Sequence, residues 1–599
     1  MGMKSMRGVC QASIWQRFST SSMDKRQGHH VKRKITDRNS AGFDQYHPLS
    51  KEGRQMESDS KGMGWIIVDA LDTLMIMNLT SRLSHAREWM STSLDYNQDH
   101  EVNTFETTIR MLGGLLSAHY LSTEFPDMAP LTDDDHGAPG EDLYLEKAAD
   151  LADRIMGAFE SDSGVPYASI NLKTSQGKGS HVDGGASSTA EAASLQLEFK
   201  YLAMLTGEKN YWEKAEKVIQ VIDDNGMEDG LLPIFIYATT GTFRGDYVRL
   251  GSRGDSYYEY LIKQYLQTAG EEPIYQDLWN QSLAGVRKHL ITYSAPHHFT
   301  VLGERPDGLG GKIFGKMDHL VCFMPGTIAL GVTGGLTIEE AKKAGKWDEK
   351  AEDEMELAKE LTKTCWGMYK MMATGLAPEI AHFRLDETPH MEADGILASA
   401  PLSDDRNAKW KEDYVVKSND QHNLQRPETV ESLFYMWRIT GNEMYREWGW
   451  EMFKSFVKYT AADDGAGFTS LSKANEIPPL LRDNMESFWL VRTCTPQANH
   501  HCPTSPLTKP TRPKPSNTST SSSPPPPSSP STPSSSTPKP TSSPASNSPA
   551  ASRRAGSGNP ETRRGNSFSL PRATSKRSGC SSSSRNSSES NPRLRRCGR

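Results

Sequence analysis

The fold is decided around the stretch Gly251-Ser252-Arg253-Gly254-Asp255-Ser256-Tyr257-Tyr258-Glu259-Tyr260-Leu261-Ile262-Lys263-Gln264-Tyr265-Leu266. Its two glycines indicate a tight turn, and Ser256 followed by Glu259 is a capping-box pattern, which predicts a helix beginning at Ser256. Asp255 would then lie on the turn beside the positive end of the helix dipole, which favours its ionised form. A carboxylate among tyrosines and Arg253 suits a sugar site, although acidic residues near helix starts are more often structural.

Apolar residues recur with helical spacing on both sides of this stretch. Within 105–116 they stand at positions 105, 109, 112 and 116, which is one face of a helix. Comparable helical segments lie near residues 142–159, 188–205, 210–223, 256–268, 274–290, 353–373, 428–439 and 443–459. Strand-like alternation is best at 231–237 and 301–302. The pattern predicts an all-α fold with minor β-hairpins, and it leaves a closed toroid and an open solenoid both possible.

Composition divides the 599 residues into three parts. Residues 1–42 are polar, basic and aperiodic, and are expected to be a disordered or misassigned leader. Residues 43–492 have the pattern of one large globular domain. Residues 493–599 are rich in Ser, Pro, Thr and basic residues, which predicts a disordered basic tail. Phe568 is the one aromatic residue in the tail, and no series of aromatic residues is interleaved with the tail's charges as stacking platforms, so no nucleic-acid partner is expected. The net charge of −7 favours no particular partner.

Cysteine usage and hydropathy narrow the cellular setting. Of seven cysteines, Cys322 and Cys365 lie inside the globular part, at a spacing that fits no zinc motif. They could be two buried thiols or one disulfide in an oxidising compartment. The sequence has no run of 18 apolar residues and no apolar segment typical of a secretory signal, so neither a membrane span nor a signal peptide is predicted.

Carboxylates near helix starts are the chemistry-bearing feature of the globular part. Glu106 and Arg110 are four residues apart and share a helix face, either as a surface ion pair or as part of a site. Pro427 at a first helical position places Glu428 in the first turn, with Glu431 on the same face. Taken singly, each of these residues is more often structural.

Two further positions belong to this group of candidates. Asn484 is an N-cap pattern followed by Glu486, and His319 is either a site residue or a satisfied core histidine. No phosphate-binding loop, nucleophile elbow or zinc-binding helix is found. Carboxylates with aromatic neighbours and no other nucleophile favour hydrolysis of a glycosidic bond, in which two acids carry the reaction.

Six segments, in order along the chain, resemble the class I α-1,2-mannosidases of glycoside hydrolase family 47. They are Gly-Met-Gly-Trp-Ile-Ile-Val-Asp-Ala-Leu-Asp-Thr-Leu (62–74), Phe-Glu-Thr-Thr-Ile-Arg (105–110), Ser-Arg-Gly-Asp-Ser-Tyr-Tyr-Glu-Tyr (252–260), Lys-Met-Asp-His-Leu-Val-Cys-Phe (316–323), Arg-Pro-Glu-Thr-Val-Glu-Ser (426–432) and Asp-Asn-Met-Glu-Ser-Phe (483–488). The resemblance covers roughly residues 43–490. It implies an (α/α)7 barrel that trims α-1,2-linked mannose from high-mannose N-glycans of glycoproteins, with inversion and a calcium ion.

The resemblance also implies roles for individual residues. Glu106 matches the general acid, Glu428 the general base, Asp255 a third catalytic carboxylate and Glu379 a further acidic residue of the site. The positions that match the lining of the mannose pocket are Arg110, His319, Arg426, Glu431, Phe468 and Glu486. Cys322 and Cys365 match the family's disulfide.

The chain departs from the family pattern at both ends. The family's first barrel helix should precede residue 42, and after residue 490 the family continues with a last helix and a threonine that ligates calcium directly; none of these is found in this sequence. The family's membrane anchor is not found either. These departures predict weak or absent activity. The alternative function is a mannose-binding protein, impaired in catalysis, that directs misfolded glycoproteins to degradation. Family membership implies a monomer in the lumen of the endoplasmic reticulum or Golgi.

Overall fold

The structure, a computed structural model, describes residues 42–57, 61–126, 142–385, 396–405, 407–462 and 465–489. The predictions for residues 1–41 and for the tail at 493–599 lie outside the described residues. The α-helices are α1 Trp65–Val68, α2 Leu71–Ile76, α3 Thr80–Thr92, α4 Thr104–Glu106, α5 Gly113–Glu124, α6 Leu143–Ile155, α7 Thr189–Ala193, α8 Gln196–Thr206, α9 Lys209–Asp224, α10 Asp255–Gln267, α11 Pro273–His289, α12 Met324–Thr333, α13 Ile338–Lys343, α14 Glu349–Lys370, α15 Glu428–Thr440 and α16 Met444–Tyr459.

Shorter helical turns and short strands connect these helices. A π-helix spans Thr107–Leu112, and 3₁₀ turns span Met156–Phe159, His319–Phe323, Lys409–Asp413 and Ser418–Asp420. The strands are β1 Gln45–His47, β2 Glu52–Arg54, β3 Glu101–Asn103, β4 Ser169–Asn171, β5 Gln176–Lys178, β6 Ala186–Ser188, β7 Phe235–Tyr237, β8 Ile291–Tyr293, β9 Thr300–Leu302, β10 Lys316–Asp318, β11 Ile380–Phe383, β12 Tyr414–Val415, β13 Ser470–Lys473 and β14 Leu480–Arg482. Every strand pairing within the described residues is antiparallel and short, as the scarce alternation predicts.

Successive helices pack in pairs around one core. Helix α8 packs on α9, α10 on α11, and α15 on α16, while α12 contacts both α14 and α15. Near the start of the chain, α5 packs between α2 and α6. The apolar faces of these helices form a continuous buried cluster that includes Leu112, Phe199, Leu261 and Met436. The prediction of a mainly helical fold with minor hairpins is confirmed, and sevenfold closure of the barrel stays a prediction.

The two ends of the described chain meet. Met485 N–H donates to the Tyr46 carbonyl at 3.1 Å, and Ser487 Oγ donates to Asp69 Oδ2 across 418 residues of sequence. The Arg110 guanidinium lies over the Phe488 ring, 4.9 Å from its centroid. The segment at 484–489 therefore packs against the N-terminal helices that precede and include Arg110.

Local helix starts differ from the sequence-based predictions in two places. Helix α10 begins at Asp255 rather than Ser256, Gly254 provides no side-chain cap, and the Glu259 carboxylate pairs with Lys263, so the capping-box prediction is wrong. The Glu259 carboxylate is instead occupied by an ion pair with the partly buried Lys263, one turn further along the helix. Pro427 is the N-cap of α15 rather than its first helical residue, so this helix begins one residue later than predicted, at Glu428.

The helix predicted over 105–116 is interrupted by the π-helix Thr107–Leu112. Its continuation packs tightly on its neighbour, because a Cβ at Gly114 would lie only 2.6 Å from the Val68 carbonyl oxygen. π-Helical turns occur frequently at functional sites. This one directly follows Glu106 and contains Arg110.

One described segment, His319–Lys343, is long and apolar enough to qualify as a membrane-spanning candidate by length and composition. No membrane span is predicted from the sequence, so this candidate differs from the prediction. Most of this segment is buried inside the fold, and Gly334, in a left-handed conformation at φ 63°, ends α12 within it. Both features are typical of a core helix in a globular domain.

Candidate active site

Glu428 lies at the first position of α15 and contacts His319. Nδ1 of His319 is 3.2 Å from Glu428 Oε2, while Nε2 contacts the Tyr369 hydroxyl at 2.8 Å. Burial opposes ionisation of Glu428, but the hydrogen bond and charge of His319, together with the charge of Arg426, lower the pKa of this carboxyl overall. His319 is therefore a buried, hydrogen-bonded histidine in contact with a candidate catalytic carboxyl, and the lowered pKa keeps Glu428 ionised at neutral pH.

Arg426 is the central cation of this cluster. Its Nε donates to Glu379 Oε1 at 2.6 Å. Burial works against the charge of this guanidinium, and the neighbouring carboxylates Glu379, Glu428 and Asp255 outweigh it and raise the pKa of Arg426. The backbone joins the same residues, because the Glu379 carbonyl accepts the His319 N–H at 2.8 Å. Three predicted carboxylates thus surround one arginine.

Asp255 has the opposite electrostatic setting. It is the first residue of α10, where a helix dipole favours negative charge. Burial nevertheless raises the pKa of Asp255 to about 7, and the like charges of Glu259 and Glu428 add to the rise. The expectation of an ionised side chain is wrong, because desolvation and neighbouring carboxylates outweigh the helix N-terminus.

Glu106 stands at the end of α4, where the Asn103 side chain accepts its backbone N–H at 2.7 Å. Arg110 Nε donates to Glu106 Oε2 at 2.7 Å, so the predicted i,i+4 pair forms even though a π-helix intervenes. The Glu106 side chain is 39% exposed and Arg110 is 18% exposed. Within this pair the Glu106 carboxylate is the more exposed side chain, so it is accessible to a ligand.

Glu486 joins the two halves of the cluster. Burial raises the pKa of Glu486, and it does so against the charges of Arg110 and Arg426, which favour ionisation. Asn484 Nδ2 donates to Glu486 Oε1 at 2.6 Å. Because both arginines act on one carboxyl, the pairs Glu106–Arg110 and Glu379–Arg426 border the same site.

The remaining predicted residues lie beside this cluster. Glu431, three residues after Glu428, pairs with Lys263 at 3.1 Å. The Phe468 ring packs 5.4 Å from the ring of Trp489, the residue that follows Phe488. Cys322 and Cys365 form the disulfide that the resemblance implies.

This arrangement of paired carboxyls and arginines coincides with a match to a known protein family. The model of glycosyl hydrolase family 47 matches residues 37–494. The chain belongs to glycosyl hydrolase family 47.

Curated relatives of this family 47 chain support the match. It is 48% identical over 460 residues to a mannosyl-oligosaccharide 1,2-α-mannosidase of Candida albicans, covering 76% of this chain and 74% of the relative. It is 42% identical over 456 residues to an endoplasmic reticulum mannosyl-oligosaccharide 1,2-α-mannosidase of Schizosaccharomyces pombe, covering 76% and 80%. The fold resembles an α-1,2-mannosidase from Trichoderma reesei with a TM-score of 0.65 at 24% identity, covering 80% of this chain and 94% of that one.

Sequence reasoning did not identify three acidic residues that lie near this candidate site. Burial raises the pKa of Glu191, which takes a 3.4 Å hydrogen bond from Asn103 and lies in the field of Glu106. Glu259 was assigned to a cap but pairs with Lys263. Burial raises the pKa of Glu198 to about 7, and its Oε1 accepts the Tyr260 hydroxyl at 2.9 Å. The signal for Glu191 was present, since Ser188 three residues earlier caps its helix.

A calcium ion would need several oxygen ligands from the side chains of the site. In the part of the chain that the structure describes, no three His, Cys, Asp or Glu side chains form a group able to hold a metal ion. The carboxylates of Glu106, Glu379, Glu428 and Glu431 pair with arginine, histidine or lysine side chains. These residues alone do not form a direct calcium site, so no chemical step below passes through the ion.

Proposed function

We propose that this chain is a mannosyl-oligosaccharide 1,2-α-mannosidase, which hydrolyses terminal α-1,2-linked mannose from high-mannose N-glycans of glycoproteins. The observation that carries the proposal is the match to family 47 relatives of this activity at 42–48% identity over three quarters of the chain. The carboxyl cluster around Arg426 supports it, because glycosidases use two acids with different protonation states.

We assign Glu428 as the general base of an inverting reaction. Its lowered pKa keeps it ionised at neutral pH, so it can take a proton from water while the water oxygen bonds to the anomeric carbon. The bond from that carbon to the bridging oxygen breaks, and the bridging oxygen receives a proton from a general acid. His319 holds the carboxylate in place through its 3.2 Å contact.

Glu106 is the general acid in the assignment that family resemblance implies. Its accessible carboxyl and its fixed partner Arg110 support that role. A second assignment is favoured by one observation: the pKa of Asp255 is raised to about 7, which lets this carboxyl both hold and release a proton near neutral pH. Glu379 is then a positioning residue that orients Arg426.

Leaving-group chemistry separates the two assignments. α-Mannosyl fluoride needs little proton donation, because fluoride is a good leaving group. Replacement of the true acid by its amide should therefore abolish cleavage of a mannose disaccharide far more than cleavage of the fluoride. We expect this selective loss for Glu106→Gln. Finding it for Asp255→Asn instead would transfer the role of acid to Asp255.

The rest of the glycan needs room beside the cleaved mannose. A cleft of about 380 Å³ is lined by Lys316, Ile380, His382, Lys417, Ser418, Asn419 and Asp420. The Asp420 carbonyl accepts the Glu379 N–H at 3.1 Å, so the cleft adjoins the site. Lys316 is neutralised by Glu304 and Asp318. A nearly neutral cleft with an apolar isoleucine and several hydrogen-bonding groups suits an outer mannose arm better than an anion.

Calcium dependence and a luminal location complete the proposal. Calcium dependence is what the family resemblance implies, and a luminal location is supported by the relative of S. pombe, which is named as an endoplasmic reticulum enzyme. The disulfide Cys322–Cys365 supports an oxidising compartment. Removal of calcium by EDTA, followed by readdition, tests the cofactor with mannose release as the measurement. Unchanged release in EDTA would contradict the dependence.

The central experiment is release of free mannose from a high-mannose N-glycan by the full chain. NMR of the first product distinguishes inversion from retention, because the β-anomer must appear before mutarotation. Binding of the glycan without release would support the alternative, a mannose-binding protein impaired in catalysis.

A further inference from the structure

Helices α10 and α15 present their catalytic carboxyls in the same way. Asp255 is the first residue of α10 and Glu428 is the first residue of α15. One turn further into each helix lies a second carboxylate, Glu259 on α10 and Glu431 on α15. Residues three or four apart share a helix face, so four carboxyls face one another across these two helices.

Lys263 stands between the inner pair. Its Nζ lies 2.5 Å from Glu259 Oε1 and 3.1 Å from Glu431 Oε1. All three side chains are largely shielded from solvent, at 18%, 13% and 13% exposure respectively. In such surroundings an ion pair is screened weakly and carries more weight than a surface pair. Lys263 is thus a partly buried cation that joins the two helices α10 and α15.

We propose, on the basis of the function proposed above, that Lys263 is a positioning residue for the hydrolysis: it holds α10 and α15 in register through Glu259 and Glu431 and balances the charge of those two carboxylates behind Asp255 and Glu428. Lys263 itself touches no reacting atom in this scheme. It acts through the helix that carries Asp255 and the helix that carries Glu428.

Other ionisable groups face Lys263 from each helix packed around it. Its own helix supplies Glu259 and Tyr260, and α15 supplies Glu431 and Tyr435, whose ring centroid is 5.9 Å from Lys263 Nζ. Helix α8 supplies Glu198, whose ionisation is favoured by the charge of Lys263 and opposed by that of Glu259. Acidic groups dominate this set, so loss of the lysine leaves a surplus of negative charge behind the site.

The surplus of negative charge that is left without Lys263 should raise the pKa of Asp255. Glu259 already acts to raise the pKa of Asp255. Without Lys263 that carboxylate is no longer neutralised, so Asp255 should release its proton at a still higher pH. Removing the charge of Glu259 should act in the opposite direction. A role confined to packing would change the rate without moving the ionisation.

The test compares four variants of the full chain with the wild type: Lys263→Met, Lys263→Arg, Glu259→Gln and the double variant Lys263→Met/Glu259→Gln. The measurement is kcat/KM for mannose release across pH 5–9. We expect Lys263→Met to lose about 10- to 100-fold in kcat/KM, mainly in kcat, because misplaced catalytic groups cost that much. In this variant the ionisation of Asp255, which the kcat/KM profile shows near neutral pH, should move up by about one pH unit. Lys263→Arg should restore both the rate and the position of this ionisation.

The double variant separates the effect of charge on Asp255 from the effect of the Lys263 bridge on the relative position of α10 and α15. It should return the ionisation to within about 0.3 unit of the wild-type value while kcat stays low, because the bridge is still absent. Lys454→Met is the control, since Lys454 forms an exposed pair with Glu451 on α16, and it should change neither quantity. If Lys263→Met does not fold, Lys263→Arg and Glu259→Gln carry the same comparison, and an unmoved ionisation in Glu259→Gln overturns the charge role.

The outcomes separate this inference from the function on which it rests. A wild-type chain that releases no mannose overturns the proposed function and this inference with it. An active wild type whose rate and pH profile are matched by Lys263→Met overturns the inference alone. A lower rate with an unmoved profile, without rescue by Lys263→Arg, reduces Lys263 to a packing role and also overturns it.

Discussion

Two helices of this chain begin with an acidic residue, and the pKa values of these two residues are shifted in opposite directions. Asp255 opens α10 and Glu428 opens α15, yet the pKa of Asp255 is raised to about 7 and that of Glu428 is lowered. Both lie at the positive end of a helix dipole, and burial disfavours the charged form of both. The difference comes from their neighbours: Glu428 is hydrogen-bonded to His319 and lies beside Arg426, whereas the neighbouring charges that act most strongly on the pKa of Asp255 are the carboxylates of Glu259 and Glu428.

The comparison shows that side-chain partners, rather than the helix terminus, decide the charge of these acids. A helix N-terminus stabilises an anion by about 0.3–1 kcal/mol at the surface. A buried neighbouring charge shifts a pKa by about 1–3 units, which is a larger effect. The following changes should break or sharpen this contrast.

The largest effect is expected for Glu428→Gln. The amide cannot take a proton from water, so kcat should fall by about 10³-fold or more. Mannose release from a high-mannose glycan measures it. Glu447→Gln is the matched control, because Glu447 is an exposed carboxylate in the first turn of α16. A Glu428→Gln variant as fast as the parent would remove Glu428 from the role of base.

Asp255→Asn should lower kcat by about 10²-fold and at the same time stabilise the fold. The raised pKa means that the folded state favours neutral Asp255, so its contribution to stability is complete below pH 3.8 and is lost as pH rises through about 7. The amide stays neutral at every pH. We therefore expect a gain in Tm of about 2–4 °C at pH 8 and a smaller gain at pH 5.

Thermal unfolding across pH 4–8 measures this second effect. Asp277→Asn serves as the control, because Asp277 is exposed on α11, and its Tm difference from the wild type should not vary with pH. A Tm gain for Asp255→Asn that is equal at pH 5 and pH 8 would contradict the raised pKa.

His319→Asn should make Glu428 resemble Asp255. Loss of the hydrogen bond and charge of His319 raises the pKa of Glu428, so the base is protonated at a higher pH. The acidic limb of kcat/KM should move up by about one unit, with a loss that approaches tenfold only at pH values below the acidic limb of the wild type. His298→Asn is the control, since His298 lies on an exposed loop at φ 59°, a conformation that asparagine tolerates. An acidic limb that stays in place would remove His319 from the control of Glu428.

The disulfide is connected to Glu428, rather than to Asp255, through the turn that carries His319. Cys322 lies in the same 3₁₀ turn as His319 and is tied to Cys365 on α14, 43 residues away. Cys322→Ala/Cys365→Ala should lose about 4 kcal/mol of unfolding free energy. Activity at 25 °C should fall only a few-fold. Denaturant unfolding measures the loss, and an unchanged midpoint under reducing and oxidising conditions would show that the bond contributes nothing.

The smallest effect is expected in the cleft beside Glu379. Lys417→Ala/Asn419→Ala should raise KM about threefold for a branched high-mannose glycan and leave KM for an α-1,2-mannose disaccharide unchanged. Lys346→Ala, an exposed residue distant from the cleft lining, is the control. Equal changes for both substrates would place the cleft outside the path of the outer arms.

Much of the helical fold could be predicted from the sequence, because helix periodicity is a local property. The segments near 210–223 and 443–459 agree with α9 and α16 to within one or two residues. The π-helix after Glu106 could not be predicted, because the apolar spacing of residues 105–116 fits an ordinary α-helix. The barrel order depends on long-range contacts.

The candidate site was predicted mainly through motif resemblance, and its electrostatics were not. Local reasoning assigned Glu259 to a cap and left Asp255 ionised, because the sequence does not show that Lys263 and Glu431 meet across two helices. Glu191 and Glu198 were missed for the same reason: their altered pKa values come from burial by distant elements. Residue type and local spacing alone do not reveal desolvation.

The meeting of the chain's two ends has a consequence for biosynthesis. Arg110 and Asp69 emerge from the ribosome early, whereas Glu486, Ser487 and Phe488, which complete their surroundings, are among the last residues of the domain to be made. A nascent chain therefore cannot complete the surroundings of Arg110 until Glu486, Ser487 and Phe488 have left the ribosome.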